Sequence, residues 1–306
     1  MQRRQFLVLT SGPCILMNNT PALADSSSPQ LASYYERHMA LHHGVAYGWT
    51  GREAPERMKI GLKTGVRQVG VSQDAFFALL DDGQLISWDQ APERFSALMP
   101  GVATFSCGQS GWFVIDRHQV LWLGGGNRRS PQRVADAVVA ACIGDSADYF
   151  VRLDGTLWVQ GLAHRGQYGD GKLTSTAAFV STAAGAVAVK AHTGHALYLN
   201  QAGVVMGTGG NRFGPLGSHG LGDKADRWGP VFDGASAIAT GSRHSVAIRN
   251  NGSLWAWGQG FEVQPRQIHE GVTAVAAGDT ATLALTASGE WLQWDGGSGP
   301  RRLRLP

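Results

Sequence analysis

The sequence predicts an all-β protein, a seven-bladed β-propeller built from four-stranded antiparallel blades. Three observations carry that prediction. Glycine makes up 42 of the 306 residues and separates short apolar runs, as expected of a chain with many turns and short strands. One unit of sequence recurs along the chain. Each unit has room for about four short strands and shows no amphipathic helical periodicity.

The clearest unit contains NNGSLWAWG, residues 250–258, in which an Asn-Gly turn feeds a short tryptophan-rich strand. Asn-Gly suits such a turn because both residues tolerate positive φ. Counting back 18 residues from Gly252 reaches Gly234, and equivalent anchors lie at Gly65, Gly101, Ala137, Gly185 and Gly271. Successive spacings are 36, 36, 48, 49 and 37 residues. Eighteen residues after the anchors come Gly83, Gln119, Gly155, Gly203, Gly252 and Gly289. Seven residues after them comes a second turn position at Ser72, Gly108, Gly144, His192, Gly241 and Gly278. Between the two turns runs an apolar strand: FFALL, WFVI, YFVRL, ALYL, SVAI and TLAL.

A seventh, worn copy opens the series. RHMALHHGVAYGW, residues 37–49, aligns Gly44 with Gly252 and Trp49 with Trp257. Units close on a proline followed shortly by an apolar residue, as in Pro55-Glu-Arg-Met, and likewise at Pro92, Pro131, Pro265 and Pro300. One such blade cannot bury both of its faces, whereas seven in a ring bury them against one another.

Tryptophan follows the repeat. Trp122, Trp158 and Trp255 lie 21 residues after their anchors; Trp88, Trp257 and Trp294 lie 23 after theirs, and Trp49 aligns with them. Offsets of 21 and 23 share one strand face, so these seven are expected to pack between blades. Trp112, Trp228 and Trp291 fall off the pattern and are expected to be more exposed. His38, His195 and His244 share one repeat position, where a hydrogen bond within the blade is expected rather than a metal. No H-E-x-x-H or paired C-x-x-C accompanies them, and no metal or cofactor is expected.

The first 24 residues read as an export signal. Arg3 and Arg4 precede an apolar stretch and Ala22-Leu23-Ala24, the order of a cleavable leader. Arg3-Arg4-Gln5-Phe6-Leu7 also resembles the twin-arginine motif of bacterial export. Residues 25–306 are then one propeller domain, periplasmic or secreted, monomeric and without a stable membrane span. Beyond Arg3 and Arg4 the chain carries 24 basic against 23 acidic residues, which removes the electrostatic basis for nucleic-acid binding. Cys107 and Cys142 read as buried free thiols, with a disulfide as the alternative. GQYGDGKL, residues 166–173, begins like a phosphate-binding loop but places Leu173 where Ser or Thr is needed.

The combined pattern V-x-x-V-x-x-G-x-x-H-x-x-A-L/I-x-x-x-G-x-L-W-x-W-G resembles the regulator of chromosome condensation repeat. GLAHRGQYGDGK, residues 161–172, and GGNRFGPLG, residues 209–217, resemble that family's G-x-N-x-x-G-Q-L-G-x-G segment. The other five units lack this long segment, and Gln119 replaces a turn glycine. The resemblance runs from Gln30 to Pro306 and implies a seven-bladed propeller. The founding member of the family is a nucleotide-exchange factor for a small nuclear GTPase, an activity that an export signal argues against here. A secreted relative of the same architecture inhibits β-lactamases.

No G-x-S-x-G elbow or Cys-His pairing points to catalysis. The expected function is therefore non-catalytic binding of an unidentified protein, as an inhibitor or modulator outside the cytoplasm. An enzyme whose site spans several blades, and a glycan or cell-wall binding module, are the alternatives. Binding is expected on the turns that follow the second turn position, which vary while the strands repeat. Asp74, Phe76, Gln109, Trp112, Asp145, Asp148, Arg243 and Asp279 are the candidate residues: an acidic rim with aromatic side chains and one arginine.

Overall fold

The computed structural model describes residues 29–306 apart from 59–64, 90, 92, 110, 127 and 219–221. The expected export signal therefore lies outside the described residues, as do Pro92 of the closing motif and Ser110 of one variable turn. The described residues form 28 strands and no helix. They make seven antiparallel sheets, each of four strands consecutive in the chain. The blades span 30–57, 66–99, 102–135, 138–183, 186–232, 235–269 and 272–303.

The first strand of each blade touches the first strand of the next, and the first blade touches the seventh. First strands therefore line a central channel, and fourth strands form the outer rim. Each of the seven blade interfaces encloses one buried apolar cluster. Leu197, Phe232, Ile238 and Trp257 form part of the one between blades 5 and 6. Leu31, Trp49, Leu285 and Trp291 form part of the one that closes the ring between blades 7 and 1. Removing this apolar surface from water, at about 25 cal/mol per Å², is what holds the blades together.

The positions 18 residues after the anchors all turn with positive φ: 90° at Gly83, 80° at Gly155, 81° at Gly203, 83° at Gly252 and 85° at Gly289. Gln119 adopts 61° at the same place. In blade 1 the turn contracts to His43-Gly44, with φ of 50° and 73°, between paired His42 and Val45. Two consecutive positive-φ residues are the mark of the tightest hairpin, and this contraction explains the gaps in the worn copy.

The repeat-locked tryptophans divide by offset. Trp49, Trp88, Trp257 and Trp294 are buried. Trp122, Trp158 and Trp255 are half-buried, and each donates its indole N–H to a turn side chain: Asp116, Thr156 and Ser253 respectively. The off-pattern tryptophans are not exposed as expected. Trp112 and Trp291 are buried at 5% and 6% exposure, and Trp228 packs edge-on against Tyr198. Trp112 is drawn in because Gly124, its partner across the hairpin, leaves the volume that the indole fills; a Cβ there would sit 2.1 Å from the ring.

Two of the three repeat histidines also depart from expectation. His38 meets Ser33 of its own blade. His195, however, reaches Ser245 of the next blade at 3.0 Å, and His244 reaches Thr282 of the next at 2.9 Å. First strands of neighbouring blades lack backbone ladders between them, so side chains bridge the gap. Gln30 donates to the Arg67 carbonyl, and Gln68 to the Phe105 carbonyl. Cys142 accepts the Ala191 N–H at 3.2 Å; Cys107 and Cys142 are both free and buried.

Candidate functional site

In an antiparallel four-stranded blade the first-to-second and third-to-fourth connections emerge at the same end. In blades 4, 5 and 6 a glycine ends the third strand and ties the two together. Gly258 pairs with His244 at φ 100°, and a Cβ there would lie 2.6 Å from the Arg243 carbonyl oxygen. The next residue, Gln259, donates its N–H to that same carbonyl at 2.9 Å. Gly210 to Gly194, and Leu162 to Ser146, repeat the bond at 2.8 and 2.7 Å. The variable turns and the long loops are thus fixed to each other at one end of the ring.

At the centre of that end five blades meet. Tyr34 and Tyr35 of blade 1 reach across the channel to Asp145 of blade 4. Tyr34 donates to Oδ1, and Tyr35 donates to Oδ2 at 3.0 Å. Thr193 of blade 5 donates to the same Oδ2 at 3.1 Å. His192 stacks on the Tyr34 ring with centroids 5.0 Å apart and meets the Thr193 hydroxyl at 3.0 Å. Ser242 of blade 6 lies 3.5 Å from His192 Nδ1, and the Asp279 N–H of blade 7 donates to the Tyr35 carbonyl. The Asp145 side chain is 8% exposed; three hydroxyl donors replace the water it has lost. Burial pushes the Tyr34 and Tyr35 hydroxyls up, with Asp145 adding to the shift, and pushes the His192 ring down. This cluster plugs the channel and rigidifies the end of the ring.

The eight expected site residues do not form one acidic rim. Asp74 and Gln109 are exposed, and Gln109 donates to Gln73 of the neighbouring blade at 3.0 Å. Phe76 is half-buried, stacked on Trp88 beneath Arg37. Trp112 belongs to the interface of blades 2 and 3. Asp145 is turned into the channel plug. Asp148 is half-buried and accepts from Gln160 at 3.3 Å; burial pushes its carboxyl up to about 6. Asp279 is partly covered beside Tyr35, and Arg243 is exposed.

Apart from Arg243, what that end presents comes from loops outside those eight positions. Third-to-fourth connections are long in blades 4 and 5, at residues 162–175 and 211–223. The first leans on the fourth strand of blade 5, and the second on the loop of blade 6. Gly171 donates to the Asp226 carbonyl, Trp228 to the Gly169 carbonyl, and Ser218 meets Gln264 at 3.1 Å. The five exposed large apolar side chains among the described residues are Leu153, Leu162, Leu173, Phe213 and Val263. All but Leu153 stand on the third-to-fourth loops of blades 4, 5 and 6. Phe213 lines a cleft of about 470 Å³ together with Arg165, Arg212, Asp223, Lys224 and Arg243. The extra length of units four and five was legible as spacings of 48 and 49 residues against 36. That the insertions converge on one cleft was not.

Among the described residues no group of three or more His, Cys, Asp or Glu could hold a metal ion. The described residues form no helix long and apolar enough to cross a membrane.

Seven four-stranded blades closed around a plugged channel define a β-propeller whose variable loops gather at one end. Within it, residues 235–262 match the family model described as the Regulator of chromosome condensation (RCC1) repeat. An Arabidopsis thaliana relative, the mitochondrial RCC1 domain-containing protein RUG3, is 33% identical over 25% of this chain and 21% of that protein. The chain thus spans about a fifth of that relative's length. Among solved structures, human WBSCR16 superposes with a TM-score of 0.71 at 16% identity, covering 85% of this chain and 87% of that one. Prp20p of Saccharomyces cerevisiae superposes at 0.70 and 15% identity, covering 90% and 91%. At these identities the likeness is one of fold.

Proposed function

We propose that this propeller is a non-catalytic scaffold that binds another protein through the loop-built end of the ring, acting outside the cytoplasm as an inhibitor or modulator of its partner. One observation carries the reading: four of the five exposed large apolar side chains of the described residues stand on the third-to-fourth loops of blades 4, 5 and 6, and one of them, Phe213, lines a cleft with exposed arginines. Aromatic and aliphatic side chains flanked by arginine are the composition of protein interfaces. The bonded turns beneath keep the ordering cost of binding low. Among proteins of similar fold, Prp20p is described for its binding to Gsp1p and histones, and yeast RCC1 (Prp20) is described bound to Kap60. The basic and apolar leader with Ala22-Leu23-Ala24 supports action outside the cytoplasm.

Photo-crosslinking in the native cells tests both parts. A photoreactive residue is placed at Asp74, Gln109 or His164 on the proposed end, and at Asp82, Asp154 or Asn250 on the opposite one. The expected result is a discrete crosslinked protein from the first set alone, recovered in the periplasmic or secreted fraction. Crosslinks from the second set alone, or none from either, overturn the face. Recovery with the cytoplasmic proteins overturns the compartment.

A further inference from the structure

The cleft between blades 5 and 6 has a charge that the fold does not use. Arg165, Arg212, Lys224 and Arg243 line it against a single acid, Asp223. All four cations are exposed. Among the described residues none of them takes part in an ion pair. Four like charges around one concavity repel one another, and the cost is relieved by an anion that enters it.

Their positions are nevertheless held. Arg243 lies 4.7 Å and Arg212 5.8 Å from the centroid of the Phe213 ring, so the exposed aromatic is flanked by two guanidinium groups. Arg243 also donates to Gln259 at 3.2 Å. Arg165 crosses from the long loop of blade 4 and lies against the bare backbone of Gly194 and Gly210, where a Cβ would come within 3.1 and 3.6 Å of it. Pro215 and Phe213 give the cleft an apolar wall, and Thr193, Gly194 and Ser242 its floor. Burial pushes the His195 ring beneath down to about 3, so the floor adds no fifth positive charge at neutral pH.

We infer that this cleft is the part of the loop-built end that grips an acidic, extended segment of the partner protein, with Asp or Glu carboxylates on Arg165, Arg212 and Arg243 and an apolar neighbour against Phe213. The inference rests on the protein-binding reading above and adds the chemistry of the bound segment. Planar guanidinium groups suit carboxylates because they offer paired N–H donors. A polynucleotide fits less well: its phosphates repeat along an extended track, while these cations surround one cleft in a chain of nearly balanced charge.

The test is a fluorescence-anisotropy titration of the purified protein with a labelled ten-residue peptide of alternating Glu and Phe. A Ser-Phe peptide of the same length and a single-stranded oligonucleotide of the same charge are run beside it. The Glu-Phe peptide is expected to bind, and raising the salt to weaken it. Arg212→Gln with Arg243→Gln should weaken binding about tenfold or more, and Phe213→Ala about threefold. Arg129→Gln with Arg304→Gln removes the same charge from exposed positions elsewhere and should change it by less than about twofold. Thermal melts of all variants confirm that each is folded. Equal losses in the two double variants, or tighter binding of the Ser-Phe peptide or the oligonucleotide, overturn the inference. Failure of the Glu-Phe peptide to bind while the crosslinks from the proposed end persist removes this inference and leaves the protein-binding face standing. Loss of the crosslinks as well removes both.

Discussion

His38, His195 and His244 show how one repeated residue ties the ring together and leaves a signature in solution. Each ring is buried and engaged through a hydroxyl group, in two cases of the following blade. Burial pushes His38 and His244 down to about 4, and His195 down to about 3. In the unfolded chain a histidine titrates near about 6.5. Between that value and the folded one the unfolded state holds the extra proton, so acid favours unfolding. This contribution to stability is whole above pH about 6.5 and declines as pH falls toward 4, by up to about 1.4 kcal/mol per histidine per pH unit. Asp148, raised to about 6, works in the opposite sense over its own window, so a difference isolates the histidine. Urea unfolding from pH 7.5 to 4.5 should show a shallower acid slope for His244→Gln than for the parent protein; parallel slopes would contradict a neutral buried ring. The repeat position of these histidines could be read from spacing alone. Their partners could not, because Ser245 and Thr282 are 50 and 38 residues away and are brought close only by the pitch of the ring.

At the scale of the element, the second-to-third turn recurs in every blade and one copy breaks its own rule. Gln119 holds φ at 61° where the others place glycine. A side chain in this left-handed region costs about 1–2 kcal/mol, partly offset by the greater freedom that glycine has in the unfolded chain. Gln119→Gly is therefore expected to stabilise the protein by up to about 1 kcal/mol, seen as a higher denaturation midpoint at unchanged slope. A lower midpoint would mean that the glutamine side chain makes a contribution outweighing the strain. Here the sequence was fully legible: a turn glycine announces its φ, and the strand lengths follow from the turns. The third-to-fourth loops were legible only in length. Residues 162–175 and 211–223 are long enough to be seen as insertions, but which neighbour each leans on depends on blade order and tilt.

At the scale of the whole molecule, the last blade meets the first without exchanging a strand, since each sheet takes its four strands consecutively from the chain. Closure rests on side chains. Trp49 packs with Leu285 and Trp291 and donates to Gln293 at 3.1 Å, Gln293 donates to the Gly51 carbonyl, and Arg52 pairs with Asp295. Trp49→Ala should cost about 3–5 kcal/mol, as much as Trp257→Ala inside the series, measured by denaturant unfolding. A much smaller loss at Trp49 would indicate that the seam between blades 7 and 1 opens independently of the rest.

The sequence alone determined the number of blades, the turns that delimit them and the tryptophans between them, because each of these obeys a local period written in residue types. It also marked units four and five as longer than the rest. Only the tertiary structure decided that Tyr34 crosses the channel to Asp145, that Trp112 turns inward over Gly124, and that Arg165, Arg212 and Arg243 from three different blades surround one cleft. Those contacts join residues far apart in the chain through ring geometry, and no periodic pattern along a single strand encodes the distance across a ring.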